Sequence, residues 1–439
     1  MSNEIIGLVM VGGMILAIFI GFPISFTLLF LGIVFGYWGF GDLVFYLLTL
    51  KFNETMMEQT LAAVPLFVFM GIMMEQANLM ERLFDSVQKL LANVRGSLYL
   101  AVMFVATIFA AATGIVGASV TILGIMAGKP MIRSGYDVRL SSGLITAGGT
   151  LGILIPPSVM LVVMGPTIEV PVPQLFAAAL LPGILLALIF TLYAMMRCWI
   201  DPSLGPPLPQ ELRATSKLEV WRDFFAGLVP PSALVLASLG SIFFGLATPT
   251  EGAGCGAFGA LLLTLAYRRL TLATLQDAIV KTLEISVLIL FLVAASNFFG
   301  AVFAKLGTPT MLTEYLLSLD LPRHIILSLI MLLIFVLGWP LEWVPIVLIV
   351  VPFLLPLVQK LDFNMTWFGI LVAVNLQTAW LSPPVALSAY FLKGVVPQWE
   401  LSDIYKGMLQ FMVLQVLGLV LLIVFPEIAL WLPRQLYGN

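Results

Sequence analysis

Two short stretches combine residue types that can hold ions in an apolar setting. Residues 148–158, GGTLGILIPPS, place three glycines, Thr150, Ser158 and two adjacent prolines inside a membrane-length apolar segment. Residues 375–386, NLQTAWLSPPVA, repeat the pattern with Thr378, Ser382, Pro383 and Pro384. Pro156 and Pro157 remove two backbone donors and clash with the preceding turn, while Gly148, Gly149 and Gly152 let the chain leave helical geometry at little steric cost. In hydrocarbon a broken helix survives only where it is buried in protein or lines a cavity, so each break reads as a site. Freed carbonyls and hydroxyls are oxygen donors of the kind hard cations take. The N-terminus of a half-helix carries positive partial charge that favours an anion. Discontinuous helices of secondary transporters use both effects near the bilayer midplane.

The rest of the chain is suited to carry such breaks. Of its 439 residues 61% are hydrophobic and 10% charged, with a mean hydropathy of +1.10. Soluble domains run to about a quarter charged, so the composition predicts an all-α polytopic membrane protein embedded in a lipid bilayer. A net charge of -3 and the lack of a basic run argue against nucleic acid as a partner. Cys198 and Cys255 sit in apolar segments as small hydrophobes. With His324 the single histidine and no paired thiolates, no transition-metal site is expected. The N-terminus MSNEII lacks a basic region and reads as a first span, not a cleaved signal.

Spans are predicted at 5–21, 24–38, 61–78, 139–170, 174–198, 223–246, 250–267, 286–304, 363–395 and 404–425, set against a hydrocarbon core of about 30 Å. Residues 97–128 and 323–357 are each too long for one crossing and carry TGIVGAS (113–119) and GWPLEWVP (338–345) at their centres. Each predicts a re-entrant hairpin. With the N-terminus outside, 15 of the 20 Lys and Arg lie inside and 5 outside, which is the bias expected of cytoplasmic loops. Both termini are then periplasmic; the first hairpin opens from the cytoplasm and the second from the opposite face.

Landmarks recur at constant spacing. Pro23 and Pro249 are 226 residues apart, as are Pro130 and Pro356, and the double prolines are 227 apart. Five spans per copy is an odd number, so the two repeats should be inverted relative to each other. The expected division is 1–96 for first-repeat scaffold spans with an arm helix and 97–170 for the first hairpin and broken helix. Residues 171–222 hold a connecting span and a Pro-rich cytoplasmic linker, and 223–322 the second-repeat scaffold spans and arm. Residues 323–395 hold the second hairpin and broken helix, and 396–439 the C-terminal span. The interrupted segments would form a transport domain moving against a fixed scaffold. Segments 41–60 and 270–284 suit surface-lying arms or plain surface connectors.

Several runs carry a family resemblance. FAAATGIVGASVTILG (109–124), PMIRSGYD (130–137) and GTLGILIPPS (149–158) are followed in the second half by GWPLEWVPIVLIVVPFLLPLVQKL and FGILVAVNLQTAWLSPP. Over nearly the whole chain these resemble the large membrane subunit of TRAP transporters, the tripartite ATP-independent periplasmic carriers. The resemblance implies an elevator-type carrier of the bacterial inner membrane that takes up a small organic anion on a sodium gradient. It also implies two partners, a small four-span membrane subunit and a periplasmic substrate-binding protein. The small subunit is expected as a separate chain, since no span is left over for it. Ser119 stands where the sialic-acid type has an aspartate, and Glu342 where an aspartate is usual. NLQT and FLKGVVP are more similar to a branch associated with 2-oxo acids, related organic acids and chloroaromatic acids.

Two sodium sites and no other cofactor are expected on this reading. The first takes Thr113, Gly114, Gly117 and Ser119 from the first tip with Gly149, Thr150 and Gly152 from the facing break. The second takes Gly338, Trp339, Pro340, Glu342, Thr378 and Ser382. The anionic substrate would lie between the half-helices that begin at Pro156, Pro157 and Ser158 and at Pro383 and Pro384. Small residues at such positions also let membrane helices pack closely. Glu342, a carboxylate deep in the membrane and therefore costly, would support a cation site, sense a proton, or cap the hairpin tip structurally. Lys393 is expected to snorkel to the cytoplasmic edge, and His324 to be interfacial.

No HExxH, GxSxG or pair of catalytic aspartates marks the spans, so the chain does not read as an intramembrane enzyme. A channel would need a lined pore, whereas opposed hairpins and breaks suit alternating access. The remaining alternative is a stand-alone ion-coupled organic-anion carrier that needs no binding protein.

Overall fold

The structure, a computed structural model, describes residues 2–113, 116–209, 217–318, 320–339, 341–383 and 386–438, with backbone alone at 111–113, 217 and 317. Every regular element among the described residues is helical. Helices α1 (Asn3–Ile20) and α2 (Ile24–Phe40) are parted where Gly21 takes a left-handed φ of 101° ahead of Pro23. Helix α3 (Leu43–Met57) stops at Glu58, whose extended backbone and carboxylate, accepting from Thr60 N at 3.1 Å, start a tight 3-10 turn over Gln59–Ala62. That turn leads into α4 (Ala63–Gln76) and the amphipathic α5 (Leu79–Leu90).

The first hairpin is α6 (Ser97–Thr113) and α7 (Val116–Arg133). Helix α8 (Val138–Thr150), a 3-10 turn over Leu151–Ile153 and α9 (Val159–Thr167) form the first broken helix, and α10 (Val172–Ile200) closes the copy. The second copy runs through α11 (Lys217–Phe243), α12 (Pro249–Ala266), α13 (Leu272–Lys305) and α14 (Thr308–Ser318). Its hairpin has α15 (Arg323–Leu337) as one arm; the other is a short α16 (Trp343–Pro345), a π-helical stretch over Ile346–Val350, and α17 (Val351–Lys360). The second broken helix is α18 (Met365–Leu381) and α19 (Leu387–Val395), followed by α20 (Leu401–Val424) and α21 (Glu427–Tyr437). The starts of α6 and α15 are 226 residues apart, those of α7 and α16 and of α8 and α18 227, and those of α9 and α19 228. Even the caps recur: Asp137 accepts from Leu140 N at 2.7 Å and Asn364 from Trp367 N at 3.0 Å.

Seven stretches among the described residues are long and apolar enough to cross a membrane, and α2, α15, α18 and part of α6 are shorter apolar helices. The chain is a multi-pass membrane protein. Its helices pack as two groups. In the first, α4 lies on α12 and α13, α2 and α3 on α13, and α11 on α12. Polar ties hold it: Thr264 donates to Met73 O at 2.9 Å, Gln76 to Asp277 at 3.0 Å, and Asn297 to Thr55 at 3.0 Å. The second group gathers the first hairpin and both broken helices around α10 and α20; of the second hairpin, α15 packs on α18, while the arm from α16 to α17 lies against α13 of the first group and against α9. Helices α8 and α20 touch backbone to backbone, since a Cβ on Gly407 would fall 2.1 Å from Arg139 O and one on Gly143 2.5 Å from Gly407 O. Across the seam between the groups, Phe67 meets Phe176, Phe104 stacks on Phe224, and Phe303 lies 4.0 Å from Phe353.

Three features differ from the sequence reading. The arm at 270–284 and the span at 286–304 are one helix, α13. In the first copy Glu58 and Pro65 interrupt the chain at the equivalent place, but KTLEISVLIL (281–290) holds no residue that stops a helix. Helices α5 and α14, which begin 229 residues apart, and α21, which packs on α10, were not set apart in the spans above. The half-helix of the first break begins at Val159 and not at Pro156, because Pro156 and Pro157 occupy the break itself.

Candidate functional site

The first tip and the first break meet through small residues. Gly149, in the last turn of α8, sits so close to α7 that a Cβ would fall 2.3 Å from a Val120 side-chain carbon. Thr150 ends α8, and the amide of Leu151 turns back to Gly148 O in a tighter 3-10 turn. The last carbonyls of α8 therefore face a break in place of a continuing helix. The Thr150 hydroxyl is fully buried and donates to Ala147 O at 2.8 Å. Ser119 is buried one turn into α7, beside a cavity of about 10 Å³ whose other walls are apolar. Gly152 lies buried in the 3-10 turn.

Gly117 belongs to α7 and not to a broken tip: a Cβ there would fall 2.8 Å from the Phe391 ring of α19. That close approach is the packing the sequence reading weighed beside ion binding. Gly124 and Gly128 continue the same seam against Leu392, Val395 and Val396. Thr113 ends α6; Gly114 lies outside the described residues.

The second tip and break are joined more directly. Gly338 ends α15, where a Cβ would fall 2.5 Å from Ala379 Cβ. Trp339 Nε1 donates to Ser382 Oγ at 2.8 Å, and Ser382 Oγ donates to Ala379 O at 3.0 Å. Ser382 is the extended residue on which α18 stops, and its own carbonyl accepts from Ala386 N at 3.1 Å. A cavity of about 210 Å³ opens beside this junction, lined by Gly338, Trp339, Glu342, Ala379, Trp380 and Leu387. Glu342 is extended ahead of α16, accessible from the cavity, and caps no helix amide. No hydrogen bond or ion pair holds its carboxylate among the described residues. Thr378 is buried one turn before Ser382 and donates to Val374 O at 3.2 Å. Pro340 and Pro384 lie outside the described residues.

Each break is followed by a short half-helix. Pro156, Pro157 and Ser158 are buried. The Ser158 hydroxyl, expected to serve substrate as a donor, instead donates to Ile153 O across the break. It does not cap α9, so the first-turn amides of α9 lack a side-chain partner from it. After Pro383, α19 starts from Ala386, which holds a left-handed φ of 32°. The half-helices cross between copies: α19 packs on α7 of the first hairpin, and α9 on the π-helical stretch of the second.

Lys393 donates to Pro397 O and Trp399 O at 2.9 and 2.7 Å, closing the end of α19, and His324 is exposed at the start of α15. Sequence reasoning passed over a buried amide cluster. Gln415 of α20 donates to Gln377 Oε1 at 2.5 Å and to Val374 O at 3.3 Å, and Asn375 donates to Met331 O at 2.6 Å. A lone glutamine in MVLQVLGLV was its signal, since amides in hydrocarbon need partners.

Comparison with known proteins agrees with this architecture. The family model described as "Tripartite ATP-independent periplasmic transporter, DctM component" matches residues 11–428. The C4-dicarboxylate TRAP transporter large permease protein DctM of Pseudomonas aeruginosa is 29% identical over 392 residues, 89% of this chain and 90% of its own length. The sialic acid TRAP transporter large permease protein SiaM of Vibrio cholerae serotype O1 is 29% identical over 433 residues, 96% and 97% of the two chains. The crystal structure of the Alcanivorax borkumensis YdaH transporter matches with a TM-score of 0.62 at 16% identity over 88% of each chain, a likeness of fold. These relatives are transport proteins and not enzymes. The chain belongs to the DctM component family of tripartite ATP-independent periplasmic transporters, as a large permease subunit.

Proposed function

We propose that the chain takes up a small organic acid anion, a carboxylate, by sodium-coupled secondary transport across the bacterial inner membrane. It receives substrate from a periplasmic binding protein and works with a small four-span membrane subunit. The observation that carries the reading is the second junction, where Trp339 ties the hairpin tip to Ser382 beside a cavity that holds an unpaired Glu342 carboxylate. Glu342 is exposed to that cavity, so its carboxylate is free to take a cation at membrane depth. Sodium at the ends of α8 and α18 and an anion at the starts of α9 and α19 lower each other's cost of leaving water, so their binding is coupled. Relatives named for C4-dicarboxylate and sialic acid support an organic acid as substrate.

The two helix groups suit an elevator motion. The group with the hairpins and breaks would slide against the other, with the second copy inverted and both termini periplasmic. The charge bias of 15 basic residues inside against 5 outside supports that orientation. The test is uptake of a radiolabelled C4-dicarboxylate into proteoliposomes holding this chain and its small subunit, with and without binding protein. Uptake that needs both an inward sodium gradient and binding protein is expected. Full uptake without binding protein would favour a stand-alone carrier, and uptake indifferent to sodium would reject the coupling.

A further inference from the structure

A large apolar groove lies away from the tips. It has a volume of about 600 Å³ and runs between α5, α6, α10 and α11. Only Thr107 and Thr191 put hydroxyls in its wall, and both donate to their own helix, at Met103 O and Ala187 O. Nothing is left to hold water, which needs two to four polar partners. The groove opens sideways, since Phe104, Ile184, Leu188 and Trp221 on its rim are exposed. In a membrane protein the fluid at that opening is hydrocarbon, so what fills the groove is apolar and chain-like.

Its length and rim identify the occupant further. Trp221 at the start of α11 and Leu91 beyond α5 stand at one end, Ile108 and Ile184 at the other. Ile108 is eleven residues along α6 from Ser97, or about 16 Å at 1.5 Å per residue, roughly half of a 30 Å hydrocarbon core. Trp221 is the residue type that anchors at the membrane interface. Basic side chains flank that end. Arg82 pairs with Asp223 at 2.6 Å, and Lys89 stands four residues from Asp85. Arg95 and Arg222 are exposed and have no ion pair among the described residues. Surface arginines beside a bilayer attract anionic headgroups.

We propose that the groove binds one acyl chain of an anionic phospholipid from the cytoplasmic leaflet, with its headgroup between Arg95 and Arg222. The choice of leaflet rests on the orientation proposed above. Helices α5 and α11 lie on one side of the seam and α6 and α10 on the other, so a sliding motion would change the groove, and lipid occupancy would follow the transport state.

The test reconstitutes the full chain with its small subunit into phosphatidylethanolamine vesicles containing phosphatidylglycerol that carries a photoactivatable group on its acyl chain. Crosslinks are mapped by mass spectrometry. Several-fold enrichment at residues 103–108 and 184–191, over the lipid-exposed Phe26 and Phe30 of α2, is expected. Ala187→Phe, which fills the groove, and Leu188→Trp, which narrows its rim, should each abolish the enrichment with the melting temperature unchanged. Arg95→Gln with Arg222→Gln should reduce it for phosphatidylglycerol and not for a phosphatidylcholine probe with the same chain. Equal labelling of groove and α2, or enrichment that survives both filling variants, would overturn the proposal. Labelling that appears only when the small subunit is absent would also overturn it, by assigning the groove to that subunit.

Discussion

Trp339 Nε1 and Ser382 Oγ are 2.8 Å apart, one hydrogen bond between the tip of the second hairpin and the residue on which α18 stops. Because Ser382 Oγ also donates to Ala379 O, the tryptophan fixes which way its remaining lone pair points. Trp339→Phe keeps an aromatic ring and removes the donor. A net hydrogen bond contributes about 0.5–1.5 kcal/mol, so the sodium concentration for half-maximal uptake should rise roughly 2- to 10-fold. Ser382→Ala should do the same, and the double variant should cost no more than either alone. Additive effects would mean that the two residues act separately.

Glu342 distinguishes a cation ligand from a structural cap. Glu342→Gln keeps size and hydrogen-bonding capacity but removes the charge. Uptake by this variant should require roughly tenfold more sodium, corresponding to about 1.4 kcal/mol, at unchanged surface expression. A cap would tolerate glutamine, since Gln serves in place of Glu in capping boxes; unaltered sodium dependence would assign Glu342 to structure.

Thr150 ends α8 and Thr378 lies in the last turn of α18, each donating to a carbonyl of its own helix. Valine keeps the volume and removes the oxygen. At least one of Thr150→Val and Thr378→Val should raise the sodium requirement of uptake. If neither does, sodium there is held by backbone carbonyls alone.

Sliding between the helix groups makes a prediction that needs no ligand. In a chain with Cys198→Ala and Cys255→Ser, cysteines replacing Phe104 and Phe224 face each other across the seam, where the native rings are 6.1 Å apart. Replacing Phe190 and Phe411, whose rings are 5.7 Å apart, puts a pair inside one group. A short bifunctional thiol reagent should stop uptake in the first protein and spare it in the second. Uptake retained with the seam fully crosslinked would rule out the motion.

The amide pair in the core concerns stability. Gln415→Leu strips Gln377 Oε1 and Val374 O of a donor in a buried setting, a loss of about 1–3 kcal/mol, visible as a lower melting temperature. Adding Gln377→Leu should recover most of it, because two apolar partners leave nothing unpaired there. A double variant less stable than the single would contradict this.

What could be read in the sequence was whatever breaks a helix. Gly149, Thr150, Pro156 and Ser382 announce where α8 and α18 end, and the hairpins follow from apolar runs too long for one crossing. Helix continuity was harder. Polar Lys281 and Glu284 look like a surface arm, but only the absence of a stop signal makes α13 one helix of 34 residues. Contacts between copies were not legible: that Gly117 packs on Phe391 depends on packing that no local pattern encodes, whereas Trp339 and Ser382 fall in one expected site though nothing in the sequence marks their hydrogen bond. Gln415 was visible as a polar residue in an apolar span, but its partner Gln377 was not.

The central claim is that an organic anion and sodium cross together at these junctions. Proteoliposomes holding the chain and its small subunit, under an inward sodium gradient that includes radiolabelled sodium, measure this directly when binding protein loaded with a C4-dicarboxylate is added. Coupled transport predicts labelled sodium entering with the substrate, at a rate that falls in Glu342→Gln together with substrate uptake. Substrate entry with no accompanying sodium would contradict the account.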